Sequence, residues 1–269
     1  MIALGLVAGI PVVMWIVQSV LLKAYGLPSR WRIDSRRAPP GVRTAGRWTT
    51  QVCLVGTLVA YPIIIGRSPA AYYAELLAPT RSALQFPFGA VASALFLCAL
   101  FGAWLATGRL QIDVHHSRRK WTRRLTMLAP TALFGAFVEE LLFRGVVMAD
   151  LLRTPALNPV GGVLMATAVF AGAHYVRSVK RHWTLPGHVM LGLLLCIAFQ
   201  RTGQLWLAAG LHAGGIMMIM AARPFVRYRG PAWLTGASIF PFAGVVGIAG
   251  LGILTVFVAT HFGAPSAWP

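Results

Sequence analysis

Acidic side chains are scarce, with six Asp and Glu against 24 Lys and Arg in 269 residues. Charged residues of both signs make up only 11% of the chain and 57% is hydrophobic. Soluble domains carry about 25% charged residues, so a soluble globular protein is excluded. Cysteine is limited to Cys53, Cys98 and Cys196. Their odd number, lack of metal-ligand spacing and apolar surroundings argue against a disulfide framework, and they read as small buried hydrophobes. Asparagine occurs once, as Asn158. Internal repeats are lacking, and the longest polar stretch, residues 23–48, is too short to build a core of its own.

What remains is apolar and long. A membrane helix needs roughly 20 mostly apolar residues, and eight segments meet that ruler: 2–22, 49–66, 88–107, 125–150, 160–176, 187–201, 204–222 and 236–260. The expected fold is all-α, a polytopic membrane helical bundle forming a single integral membrane domain over 1–269. No basic region precedes the first segment, so it is expected to stay as a helix rather than act as a cleaved leader. The net charge of +18 invites a nucleic-acid reading, but the basic residues fall in short clusters between apolar runs. The run at 118–124 reads as a juxtamembrane segment held by anionic lipid, and no nucleic-acid partner is expected. Alternate loops hold 19 of the 24 basic residues against 4. By the positive-inside rule the 19 face the cytoplasm. A multi-pass protein of the cell membrane with both termini outside the cytoplasm follows. Trp48, Trp104, Trp121, Trp183, Trp206 and Trp233 sit near span ends, as interfacial anchors do.

Among the six acids, only Glu139 and Glu140 lie deep in an apolar run. Ionisable groups in hydrocarbon are costly and usually mark a polar interior with a function. Glu140 and Arg144 are four residues apart, on one helix face and in the favoured order for an ion pair. Glu139 points about 100° away, so Arg144 can neutralise one acid and leave the other available as a general base. The structural alternative is a triad in which both acids merely hold helices together. Of seven histidines, His115 and His116 fall in a basic loop and His261 is terminal, while His182 and His188 flank a short connection. His174 closes the fifth span and His212 sits inside the seventh, each among Gly and Ala that leave room for close packing and a cavity. Singly such histidines are helix-packing donors; with an intramembrane acid pair they read as a site.

Three motifs carry a resemblance: Glu139-Glu140-Leu-Leu-Phe-Arg144 as E-E-x-x-x-R, Phe170 to His174 as F-x-x-x-H, and His212 opening a third. In this order they resemble the CPBP family of intramembrane glutamic endopeptidases, which contains CAAX prenyl endopeptidases and bacteriocin-processing or self-immunity proteins. The resemblance covers roughly 125–222, expected to be the catalytic helices. It implies hydrolysis of a peptide bond in a membrane-embedded or membrane-associated peptide or protein, without metal or other cofactor. In the family the first glutamate and the second-motif histidine activate a water, which maps to Glu139 and His174, and the third-motif histidine holds the oxyanion, which maps to His212. Glu140, Arg144 and Phe170 would support the geometry. The family's third motif continues H-x-x-x-N, but position 216 is Ile. One oxyanion donor is thereby lost, a change worth about 10²–10³ in rate. Three other readings stand beside the protease: a non-catalytic membrane partner, such as an immunity or assembly factor keeping the fold; a zinc protease, although no His-Glu-x-x-His occurs; and a transporter, although broken repeated helices are missing.

Overall fold

The computed structural model describes residues 1–29, 38–78, 84–113, 118–175 and 182–263; Asp34, His115 and His116 lie outside them. The fold is an all-α membrane bundle. Its helices are α1 (Ile2–Ala24), α2 (Pro40–Ile64), α3 (Pro69–Leu76), α4 (Gln85–Ala106), α5 (Arg118–Glu140), α6 (Ala149–Leu152), α7 (Pro159–Ala173), α8 (Leu185–Thr202), α9 (Trp206–Ala222), α10 (Ala232–Thr235) and α11 (Val245–His261). Each of the eight expected spans overlaps one of the longer helices. Among the described residues, three helical stretches are long and apolar enough to cross a bilayer alone: Ile2–Ala24, Gln85–Ala106 and His182–Thr202. The pair Pro40–Ile64 and Pro69–Leu76 is long and apolar enough when taken together but is bent by 100°, the shape of a broken span or a re-entrant loop. Helices α7, α9 and α11 are apolar but shorter, so the count of eight is approximate. The last span is expected from 236 but its helix starts at Val245, because Gly236 adopts a left-handed φ of 75° and Pro241–Ala243 form a 3-10 turn.

Local chemistry sets the helix that matters most. The single asparagine, Asn158, caps α7: its side-chain oxygen accepts the Gly161 N–H at 2.7 Å, with Pro159 in the first turn, a favoured start. Between α5 and α6 the backbone widens into a π-helical segment, Leu141–Met148. Such segments are uncommon and cluster at functional sites. The hydroxyl of Tyr72, from α3, donates to the Gly145 carbonyl within that segment. At its end Asp150 is buried, accepting the Ala3 N–H at 3.0 Å and the Tyr61 hydroxyl at 3.3 Å. This acid belongs to the bundle interior and ties α1 and α2 to α6.

Helix α4 packs along α9, α5 against α9, α7 against α8, and α8 against α11. Glycine makes the first of these contacts close. A Cβ at Gly210 would sit 2.1 Å from the Phe86 carbonyl oxygen, and one at Gly214 2.5 Å from that of Ala90. This small-x-x-x-small face turns towards α4, and His212, two residues from either glycine, projects from the opposite side of α9. Two short strands were not expected: β1 (Leu110–Ile112) and β2 (Val226–Tyr228) pair antiparallel, Gln111 opposite Arg227. They join the basic loops that follow α4 and α9. Trp104, expected at the interface, is buried, with the Arg109 guanidinium 5.8 Å from its ring. Of the three free cysteines only Cys196 is buried, while Cys98 is exposed on the outer surface of the bundle.

Candidate active site

The three motifs converge on one cavity of about 220 Å³ lined by Glu139, His174 and His212 together with Ile216, His188, Ser93 and apolar side chains of α4, α8, α9 and α11. The span limits 125–150 and 160–176 set Glu139 and His174 at different depths, and a later start of the fourth span or a longer fifth is the expected remedy. The structure solves it otherwise. Helix α5 begins earlier, at Arg118, and the relevant reference is the turn between α6 and α7. Glu139 precedes the end of α6 by 13 residues and His174 follows the start of α7 by 15, which places both roughly 20 Å above the same turn.

The two glutamates have opposite surroundings. Glu140 is fully buried, its Oε1 receiving Arg144 Nη1 at 3.0 Å and His212 Nδ1 at 2.7 Å. Arg144 is also fully buried, donates its Nη2 to the Gly192 carbonyl at 3.2 Å, and stacks its guanidinium 4.4 Å from the Phe170 ring centre. The i,i+4 ion pair is therefore present, and Phe170 and Gly192 complete its cage. Gly192 has to be glycine for this, since a Cβ there would meet the Phe170 ring at 2.9 Å. Glu139, with 39% of its side chain exposed, turns into the cavity with an oxygen 3.8 Å from His212 Nε2.

The imidazoles are oriented by their backbones. Nδ1 of His174 lies 2.8 Å from the Phe170 carbonyl; a carbonyl only accepts, so Nδ1 carries the hydrogen and Nε2 of the neutral ring is the acceptor. The His174 ring packs at a tilt against Phe170, 4.7 Å between centroids, and Phe170 also lies at 6.1 Å from His212. Phe170 thus touches the arginine and both histidines. Among the described residues no three His, Cys, Asp or Glu side chains are grouped as a metal site requires.

Residues 121–218 match the family model described as Rce1-like, "Type II CAAX prenyl endopeptidase Rce1-like". Over this segment the chain is similar to the CAAX proteases. No curated protein and no solved structure matches it. At family level the match supports a CAAX-type intramembrane protease, and the matched segment runs from the first half of α5 through most of α9.

Two further polar residues reach the cavity, one from the matched segment and one from outside it. His188, expected beside a connection, is buried on the cavity wall. The signal was available: like His174 and His212 it has a glycine neighbour, Gly187, whose missing Cβ admits the Ala243 backbone, which it would otherwise approach at 2.7 Å. Ser93 reaches the same cavity from α4, outside the matched segment, with its hydroxyl on the Ala90 carbonyl at 3.1 Å. A second, larger cavity of about 560 Å³ lies between α1, α2, the π-helical segment and α7, and Glu139 and His174 form part of its wall as well.

Proposed function

We propose that the protein is a glutamic-type intramembrane endopeptidase, in which Glu139 and His174 activate a water and His212 stabilises the oxyanion. The observation that carries this reading is the division of labour between adjacent acids: Glu140 is locked by Arg144 and His212, and Glu139 faces the cavity beside two imidazoles. Glu139 takes one proton from the water while Nε2 of His174 accepts a hydrogen bond from the O–H that remains. The hydroxide attacks the carbonyl carbon of the peptide. With Nδ1–H of His212 committed to Glu140, the imidazolium form carries a second donor on Nε2 for the developing oxyanion, the kind of fixed donor that lowers such barriers. The C–N bond then breaks, and the proton held by Glu139 passes to the leaving amine. The residues of this chain suffice for each step, and no cofactor is invoked.

The substrate is a membrane-associated peptide or protein cut near the cytoplasmic face, and the family name points to a prenylated C-terminus. Ile216 lines the cavity where the family pattern supplies an amide donor, so turnover is expected to be slow. The test is reconstitution of the purified protein in liposomes with lipid-modified peptides and detection of cleavage products by mass spectrometry. Activity is expected in the wild type, to survive a strong chelator, and to fall by about 10²–10⁴ in Glu139→Gln. Loss to the chelator with restoration by zinc would overturn the glutamic mechanism.

A further inference from the structure

The hydrolytic scheme uses Glu139, His174 and His212 and leaves one buried titratable side chain on the cavity wall without a task. His188 sits in the first turns of α8 with Nδ1 2.9 Å from the Thr184 carbonyl and 3.2 Å from the Tyr175 hydroxyl, which itself lies 2.6 Å from Thr184 Oγ1. Because the carbonyl only accepts, Nδ1 bears the hydrogen, and the neutral ring keeps an unprotonated Nε2 on its other side. The ring cannot turn away. It lies against the tilted ring of His174 at 4.9 Å between centroids and is flanked edge-on by Phe240 at 5.2 Å and Phe242 at 5.4 Å. The result is a single acceptor nitrogen, held in a fixed orientation, on a wall otherwise made mainly of Leu, Ile and Phe.

A polypeptide entering such a cavity loses the water on its backbone N–H groups, and an unsatisfied donor in an apolar surround is costly. In the scheme above Glu139 and His174 are occupied by the water, and His212 offers donors. A backbone N–H of the substrate therefore needs another acceptor. We propose that His188 is a substrate-binding residue whose Nε2 accepts a hydrogen bond from a backbone N–H of the substrate flanking the scissile bond. This rests on the endopeptidase reading and adds to it a requirement on the substrate: an unsubstituted amide, not proline, at that position.

The test is a thermodynamic cycle between enzyme and peptide backbone. The full-length protein in liposomes is assayed with N-acylated decapeptides of apolar sequence, and the best-cleaved peptide is remade with single backbone N–H groups replaced by ester oxygen, one position at a time. One position flanking the cleaved bond is expected to lower wild-type kcat/KM by about tenfold to a hundredfold, the range of a buried hydrogen bond. His188→Phe, which keeps the ring packing, should lose a similar factor on the all-amide peptide and lose nothing more on that ester. His188→Gln, whose amide oxygen can stand in for Nε2, should restore most of the rate. An ester penalty undiminished in His188→Phe, or full activity of that variant, would overturn the proposal. So would an ester scan of the wild type in which no flanking position matters, which needs no variant to fold. The same cycle read as binding affinity on a Glu139→Gln background separates the two claims. Coupling there with normal cleavage by Glu139→Gln would remove the glutamate as base and leave His188 as the binding residue; absence of coupling with cleavage abolished would do the reverse.

Discussion

Glu139 and Glu140 are consecutive in sequence and differ in everything that decides their chemistry. Replacing Glu139 by Gln removes a carboxylate that faces a cavity, so the fold should be untouched while hydrolysis falls by about 10²–10⁴, the usual contribution of a general base; product formation and thermal unfolding in detergent measure the two. Replacing Glu140 by Gln leaves the Arg144 guanidinium buried with no counter-charge, a loss of about 3–5 kcal/mol, and the variant should unfold at lower temperature before any question of rate arises. Equal stability of the two variants would contradict the asymmetry seen around them. The pairing of Glu140 with Arg144 was legible from spacing alone, because a helix fixes which side chains share a face. His188 had only its glycine neighbour as a sign, since its burial depends on Phe240 and Phe242, more than 50 residues away. Ile216 lies one helical turn after His212 on the cavity wall. Ile216→Asn should therefore place an amide beside the reacting carbonyl and raise kcat by up to about 10²–10³. An unchanged kcat in a folded variant would mean that the cavity binds the carbonyl elsewhere.

Between elements, glycine decides where the histidine goes. Helix α9 approaches α4 through Gly210 and Gly214, and a methyl group at 210 would overlap the Phe86 carbonyl oxygen. Backbone cannot yield as a flexible side chain does. Gly210→Ala should thus cost about 1–3 kcal/mol, and activity should drop further because His212 shifts with the helix. Gly215→Ala, with nothing within 4 Å of the new carbon, is the matched control and should unfold at the wild-type temperature. The long helices could be read from the sequence because a run of apolar residues needs no knowledge of its neighbours. The eight-residue α3, the π-helical segment and the β1–β2 ladder carry no such period. Their existence follows from tertiary contacts: Tyr72 on the Gly145 carbonyl for the first two, and the meeting of two distant loops for the third. The mismatch in depth between Glu139 and His174 had the same origin, since span limits drawn from hydropathy ignore the turn that sets both heights.

For the whole molecule, charge and strand pairing make the same demand by independent routes. Four of the expected spans separate the loop after α4 from the loop after α9, and an even number of crossings returns a chain to the side it left. The ladder that sets Gln111 opposite Arg227 requires those loops to share a side whatever that side is. The positive-inside rule then names it, because both loops belong to the set holding 19 of the 24 basic residues. Single cysteines at Gln111 and at Arg227, in a background with Cys53, Cys98 and Cys196 replaced, should both react with a membrane-impermeant maleimide in inside-out vesicles and not in intact cells. A cysteine at Ala156, in the turn between α6 and α7, should show the opposite pattern. Labelling of all three on the reversed side would overturn the charge argument and keep the fold, whereas unlike behaviour of Gln111 and Arg227 would break the span count itself. The outcome also bears on the candidate site. His174 ends α7 on the side of the basic connection 177–186, so cytoplasmic labelling of Gln111 and Arg227 puts His174, and the part of the cavity wall it forms, nearer the cytoplasmic face.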